Sequence, residues 1–452
     1  MRGLEKQAVS RFLRRFVADY GMLIVLLGVS AYYSVATIGD QPVSGAAGGE
    51  ALAWEVVQQV RPGGRVLIVA PAAQEDAEFV RALEERLADA GIVVAATVRG
   101  EPPDARKALK ACSDSGAKLD AIAANEVAGQ WSLFEGLGEK FPALGDVAVL
   151  VPRSYRWSSF LTSSNLLNVA NQVTIIAIIA IGMTMVIVTG GIDLSVGSLM
   201  ALSAVVAALL IRGAAGAEQA SPAGMVLCCL AAMAVSGGVG LANGALVTAV
   251  GLPPFISTLG MMLVASGCAY ILSEGQSINE LPASFVWLGR GTDLGRLPNA
   301  VVLMLLLYAG AHVVMSRTTL GRYIYAVGGN VEAARLSGVP VRRVLLLVYG
   351  ITGVLAGLGG VILASQLKSG SPKYGELYEL YVIAAVVVGG TSLSGGEGRI
   401  LGTLIGALLI AVIRNGMNLT GVESYTQKVV LGAVIIVAVA LDRLKQLYWR
   451  GS

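Results

Sequence analysis

One histidine in 452 residues leaves no imidazole pair for a metal or a catalytic relay. His312 lies in LYAGAHVVMS without a ligand-type neighbour at metal spacing and reads as a helix-packing or boundary residue. Cysteine is nearly as sparse, at four residues. Cys228, Cys229 and Cys268 fall in apolar runs as small core hydrophobes, and Cys112 stands alone in a polar stretch, so no disulfide framework is implied. Charge is the third shortage. Only 14% of residues are Asp, Glu, Lys or Arg, where a soluble domain carries about 25%. No Walker A sequence occurs, which excludes nucleotide binding through a P-loop. GGEGRILG at 395–402 has the wrong spacing and no βα setting for a dinucleotide loop, and reads as a tight turn between helices. Too few ionisable residues lie inside the apolar runs to build a proton or sodium relay, which disfavours a secondary transporter. The net charge is +3, and the basic residues cluster between apolar runs, which argues against nucleic acid as a partner.

What the chain has instead is apolar length. It is 55% hydrophobic with a mean hydropathy of +0.70, and apolar runs of roughly 18–22 residues recur, the length that crosses a bilayer as a helix. Its 57 glycines suit a membrane protein, where small residues let helices approach closely. Spans are expected at 21–38, 169–189, 193–211, 223–250, 254–273, 299–316, 344–366, 379–394, 399–415 and 425–441. Arg2, Lys6, Arg11, Arg14 and Arg15 precede the first span. Arg317, Arg322, Arg335, Arg342 and Arg343 fall in the 317–343 connection, and Arg443, Lys445 and Arg450 in the tail. The positive-inside tendency then places all three groups, and both termini, in the cytoplasm. The first span lacks a clear cleavage site in a polar flank and reads as an uncleaved anchor. The glycine-rich 379–415 region is where a re-entrant segment would hide.

Between the first two spans the pattern changes. GRVLIVAPA, IVVAATVRG, LDAIAANEVAG and DVAVLVPRS read as strands, separated by helical stretches at 75–91, 103–116 and 131–141 that close near glycines. Strands alternating with helices indicate βαβ units and a parallel sheet. The fold class is therefore an all-α polytopic membrane protein of about 10 transmembrane helices with a small inserted α/β domain. The expected divisions are an N-terminus with the first span at 1–38, an extracytoplasmic α/β domain at 39–158, a transmembrane domain at 159–442 and a cytoplasmic tail at 443–452.

Two stretches hold polar residues where chemistry would sit. TGGIDLSVGSLM at 189–200 interrupts apolar helix with Gly190, Gly191, Asp193, Ser195 and Gly197. The glycines can end one helix in the left-handed region, and Asp193 can cap the next, accepting from free N–H groups at its start. The carboxylate then need not be a buried charge, and the stretch reads as a joint between two spans. Ser195 and Ser198 lie one turn apart, on a side that can meet the same neighbour. LGRYIYAVGGNVEAARLSGVPVRRV holds a short helix at about 330–336, closed by Gly338 and Pro340 and rimmed by arginines. Such an exposed helix is either an arginine-bearing surface loop or a docking element for a soluble partner.

EAARLSG at 332–338 resembles the EAA-type coupling loop of ABC importer permeases. With FLTSSNLLN at 160–168, TGGIDLSVGS, PPFISTLGMM at 253–262 and VVVGGTSLSGGEGRILGTLIGALLI at 386–410, in that order, the chain is similar to the ribose/xylose-type sugar permease family. The resemblance covers about 160–445 and the first span. It implies a permease subunit of the bacterial inner membrane that moves a monosaccharide by alternating access. It also implies a cytoplasmic ATPase that binds ATP and Mg, an extracytoplasmic sugar-binding protein and a second permease copy, with no cofactor or catalytic residue in this chain. Glu332, Ala333, Ala334 and Gly338 occupy the coupling positions. The signature turn at Gly190, Gly191, Asp193, Ser195 and Gly197 is either a plain capped turn or a break belonging to the gate or the ATPase-facing surface. Asn171, Gln172, Asn243, Ser257, Thr258 and Asn415 are path candidates, each of which can equally serve as interhelical glue. The inserted domain departs from the family. Residues 64–152 resemble one lobe of a sugar-type periplasmic binding protein, which would serve as a docking platform, a degenerate receptor fused in cis, or a spacer. The other functional class is a membrane receptor that senses solute through this lobe.

Overall fold

The structure, a computed structural model, describes residues 21–41, 43–72, 74–116, 118–145 and 147–450. The basic cluster from Arg2 to Arg15 lies outside the described residues. The chain divides into two compact units, one of residues 37–159 and the other of the flanking sequence on both sides.

The first helix is α1 (Gly21–Ala36). The 37–159 unit then runs β1 (Ile38–Gln41), α2 (Gly45–Gln59), β2 (Arg65–Ala70), α3 (Gln74–Asp89), β3 (Val93–Arg99), α4 (Pro102–Asp114), β4 (Ala121–Ala124), α5 (Glu126–Gly129), α6 (Leu137–Lys140), β5 (Ala148–Leu150) and β6 (Tyr155–Ser158). Four strands form a parallel sheet in the order β3-β2-β4-β5. β2 is central, and its VLIVA run is buried throughout, as expected for a parallel strand covered on both faces. Leu52 and Val56 of α2 and Phe79 and Leu83 of α3 cover one face. Ala105, Leu109 and Cys112 of α4 cover the other. β1 and β6 pair antiparallel from Ile38↔Ser158 to Gln41↔Tyr155, so the unit's two chain ends lie side by side. Such closeness of ends is what makes an insertion tolerable to the host.

Two details differ from the sequence reading. The helix expected at 131–141 is reduced to α6, with Trp131 and Phe134 stacked at 6.4 Å in the turns before it. Helix α2 was not anticipated, because Gly48 and Gly49 interrupt its apolar signal. Both are needed there: a Cβ at either would collide with a carbonyl oxygen, that of Val43 or of Phe79.

The membrane unit continues with α7 (Ser163–Val188), α8 (Val196–Gly213), α9 (Pro222–Ala245, ending in a π turn), α10 (Pro254–Leu272), α11 (Trp287–Arg290), α12 (Asn299–Arg317), α13 (Thr319–Gly329), α14 (Val331–Leu336), α15 (Val341–Leu367), α16 (Tyr378–Val388), α17 (Ile400–Leu419) and α18 (Ser424–Arg450). Among the described residues, seven helices are long and apolar enough to cross a membrane: α7, α8, α9 with its π turn, α10, α12, α15 and α17. Of the other three expected spans, that at 379–394 falls on a shorter apolar helix, Tyr378–Val388, and those at 21–38 and 425–441 fall on α1 and α18, which are apolar over Gly21–Ala36 and Ser424–Val437. The span expected at 379–394 is thus a half-helix of 11 residues, against the roughly 20 that a crossing needs. It ends at Gly389 and Gly390, the latter with φ +90.

α7 and α15 form the centre. An α7 stretch from Val173 to Val188 is buried on all sides, the mark of a helix enclosed by others. Glycines set the spacing. Gly182 lies where a Cβ would be 2.7 Å from the Thr352 Cα. Side chains at Gly240, Gly353 and Gly360 would run into the backbone oxygens of Tyr349, Ser236 and Met200. Packing this close replaces the hydrophobic drive that lipid does not supply between helices.

Candidate functional site

The 330–338 helix, the signature turn and the glycine loop that begins at Gly395, distant in sequence, converge on one joint. α14 begins at Asn330, whose side chain accepts from the Ala333 N–H at 2.9 Å, and Glu332 pairs with Arg335 at 3.5 Å. Both charged side chains are exposed, as is Leu336, whereas Ala334 is buried beneath them. Gly338, with φ +81, lets the chain reverse, so that the N–H groups of Ser337, Gly338 and Val339 return to the carbonyls of Ala333, Arg335 and Ala334, each at 3.0 Å. Beside the helix is an open hollow of about 590 Å³ whose lining includes Arg335, Arg342 and Arg343. Glu332, Ala333, Ala334 and Gly338 therefore form one rigid, capped element.

That element stands on α13, whose end is locked to two other motifs. A side chain at Gly328 would collide with the carbonyl oxygen of Val188, the last residue of α7, and would come within 2.6 Å of the Gly396 nitrogen. Gly396 N–H donates to the same Val188 oxygen at 2.8 Å. Gly395 packs on Gly328 and Gly190, and the Tyr325 hydroxyl donates to the Gly398 carbonyl at 2.7 Å. The glycine loop at 395–402 is thus a tight turn, and the turn is part of the joint.

From Gly190 the signature turn leads inward. Gly190 adopts φ +81, and Gly191 passes the Tyr349 hydroxyl so closely that a Cβ would lie 2.6 Å from it. Asp193 corrects the sequence reading. It is fully buried, and its Oδ1 accepts from the backbone N–H of Ser195 at 2.9 Å and its hydroxyl at 2.6 Å. α8 starts only at Val196, so the carboxylate closes an Asx-type turn ahead of the helix instead of capping the helix itself. The charge is buried because α9, α10 and α15 enclose the turn, an arrangement that local sequence does not encode. Asn243 donates to the Ser195 hydroxyl at 3.0 Å, Ser257 donates to Asn243 Oδ1 at 3.4 Å, and Thr258 donates to the Ile192 carbonyl at 3.2 Å. Asp193 Oδ2 and the Tyr349 hydroxyl are both buried without a hydrogen-bond partner among the described residues. Ser198 borders a cavity whose lining does not include Ser195.

The path candidates divide accordingly. Asn243, Ser257 and Thr258 join the Asp193 turn. Asn171 instead accepts from Gln366 at 3.0 Å, and Asn415 exchanges amide hydrogen bonds with Asn165 at 2.8 and 3.0 Å. Gln172 is exposed on α7. Sequence reasoning missed Tyr349, Gly328 and Glu379. The last packs against Gly197, where a Cβ would collide with its carboxylate. The signal for Glu379 was available, as an acid entering the apolar run YVIAAVVV. No group of three or more His, Cys, Asp or Glu side chains among the described residues could hold a metal ion.

The family described as "branched-chain amino acid transport system / permease component" matches residues 165–439. The chain is 44% identical over 316 residues to the ribose import permease protein of Bacillus subtilis, covering 69% of this chain and 95% of that one. It is 44% identical over 292 residues to the ribose import permease protein of Escherichia coli K12, covering 64% of this chain and 88% of that one. The D-allose transport system permease protein of the same strain is 39% identical over 285 residues, 63% of this chain and 85% of that protein. No solved structure matches. These relatives are transporter components rather than enzymes, and the family match at 165–439 falls within the membrane unit that holds the joint. The chain belongs to this family of ABC importer permeases, alongside the sugar permeases of the ribose type.

Proposed function

We propose that the chain is the membrane permease subunit of an ATP-driven importer for a monosaccharide of the ribose or xylose type, with α14 as its coupling helix. The observation that carries this reading is the Gly328 joint. An exposed, capped helix stands on α13, and α13 is in backbone contact with the end of α7 and the 395–398 turn. Backbone contact without intervening side chains transmits displacement with little slack, so a push on α14 reaches the signature turn and α8. A separate cytoplasmic ATPase binds ATP and Mg and seats Glu332, Ala333, Ala334 and Gly338 in a groove. The solute passes by alternating access, with the Asn243–Ser257–Thr258 cluster and the 190–197 turn at the moving boundary. The chain lies in the inner membrane with both termini cytoplasmic and 39–158 outside, where a sugar-binding protein delivers solute. A second copy of the chain completes the passage.

The test is Glu332→Lys in the complete transporter, with sugar uptake into membrane vesicles and co-purification of the ATPase as readouts. The charge reversal abolishes the pair with Arg335 and places a cation in the groove. ATP-driven uptake falls by roughly tenfold or more, while the permease itself is recovered in normal amount. Unchanged uptake with an intact ATPase complex overturns the coupling assignment.

A further inference from the structure

A second polar cluster lies away from the joint. The signature turn continues into Gly197 and Ser198 at the start of α8. There it meets the return loop between α15 and α16, around a cavity of about 240 Å³. Ser198, Lys373, Tyr374 and Glu379 line it together with Met262 and Tyr270 of α10. The lining runs along the 19-residue α10 from Met262 at its middle to Tyr270 near its end, so the cavity reaches from the helix's mid-depth toward one of its ends. Charged side chains at that depth face a protein interior or a water-filled passage, because hydrocarbon solvates them poorly. Non-helical backbone there carries the same implication: it persists where it is enclosed by protein or lines such a passage.

The loop is built rather than incidental. Lys368 and Leu377, at its two ends, hold left-handed backbone with φ +52 and +65, a conformation that costs a non-glycine residue about 1 kcal/mol or more. Gly370 forms an antiparallel bridge to Ile278, and Ser369 and Tyr374 share a hydrogen bond across the turn. Gly375, with φ +80, and Gly197 approach so closely that neither admits a side chain, and the Glu379 carboxylate occupies the remaining space over Gly197. The span α8 and the half-helix α16 therefore both begin at this cavity, where Ser198 and Glu379 of their first turns join Lys373 and Tyr374 of the loop.

We propose that this cavity is the site where the transported sugar is held during passage, with Glu379 as a specificity-determining residue. This rests on the sugar-permease reading above. A carboxylate offers about four acceptor positions, enough for two neighbouring hydroxyls. Lys373 donates to a ring or hydroxyl oxygen, and Tyr374 and Tyr270 present flat apolar faces to the sugar's C–H groups. A neutral polyol fits this mixed lining. Gly197 leaves the space that the carboxylate occupies, which gives the signature turn a role in solute contact besides its part in the joint.

The experiment measures ATP-driven uptake of labelled D-ribose, D-allose and D-galactose into vesicles holding the full chain with its ATPase and binding-protein partners. Glu379→Gln and Glu379→Asp are compared with the unaltered protein, and deoxy analogues of the best-carried sugar serve as competitors. Expected is a rise of roughly tenfold in half-saturating concentration for Glu379→Gln, partial recovery in Glu379→Asp, and reduced discrimination against one deoxy analogue, with complex yield unchanged. No change, or an equal loss for parent and deoxy sugars, overturns the assignment of Glu379 and leaves the permease reading standing. If the unaltered protein carries none of the three sugars, the sugar-permease reading fails and this proposal fails with it.

Discussion

In the 37–159 unit, glycines such as Gly63, Gly116 and Gly145 sit at turns with positive φ, where an added Cβ would meet nothing. In the membrane unit, Gly240, Gly353 and Gly360 lie inside helices, where a Cβ would meet another helix's backbone. Individual charged groups add to the contrast, although the membrane unit also has an exposed pair at Glu332–Arg335. The sheet unit carries exposed pairs such as Arg81–Glu85 and Arg86–Glu50, whereas the membrane unit encloses Asp193 completely. The difference follows from the solvent each unit faces. In water, aliphatic side chains such as Leu67, Ile68 and Leu83 cohere because burial removes about 25 cal/mol per Å² of apolar surface from water. Between helices in lipid that drive is largely absent, so stability comes from close backbone packing and interhelical hydrogen bonds. α2 is the informative exception, a helix in the aqueous-type unit that uses Gly48 and Gly49 as a membrane helix would.

The largest expected effect tests that contrast directly. Gly360→Leu drives a branched side chain into the Met200 carbonyl at the α8–α15 contact, and no rotamer escapes a backbone collision. The variant is expected to lose its monodisperse peak on size exclusion in detergent. Gly91→Ala, at a turn with φ +69 and with only Pro62 near, costs about 1–2 kcal/mol of backbone strain and leaves assembly intact. Equal behaviour of the two variants would break the comparison.

A middle-sized effect belongs to Asp193. Removing its carboxylate by Asp193→Ala strands the buried Ser195 N–H and hydroxyl, at a cost of about 1–3 kcal/mol. Asp193→Asn keeps an oxygen at Oδ1 and retains most of that stability. Thermal unfolding in detergent is expected to rank the proteins wild type, Asn, Ala, with Asn near wild type. If Asp193→Asn assembles with the ATPase yet loses transport, the charge acts beyond closing the turn.

How much of this was legible depended on the range of the interaction. The β2 run and the α7 and α15 spans declare themselves through period and apolar length, which are local properties. The glycine ends of helices were legible for the same reason, as was the capped helix at Asn330 with its Gly338 stop. The half-helix α16 read as a span because its apolar residues continue to Val388, and the glycines that end it are residues that spans also carry in their interiors. The burial of Asp193 was not legible. Its enclosure depends on Tyr349, Asn243 and Thr258, which lie 50 to 156 positions away and meet it only after α9, α10 and α15 pack. For the same reason, Gly328 and Gly396 read as ordinary loop glycines, although each lies against Val188 in the fold.

The smallest expected effect closes the comparison from the aqueous side. Arg86 and Glu50 approach to 3.6 Å with side chains 59% and 57% exposed, so water and salt compete for both groups. Exposed pairs of this kind contribute about 0–1 kcal/mol, and screening over a Debye length of roughly 8 Å at physiological salt reduces that further. A double-mutant cycle of Arg86→Ala and Glu50→Ala, read by thermal unfolding of the full chain, is therefore expected to give a coupling near zero at physiological salt and a few tenths of a kcal/mol at low salt. A coupling as large as the Asp193→Ala loss would mean that the sheet unit also relies on individual polar contacts. The contrast would then lie in geometry alone, because charge in both units would be holding the fold.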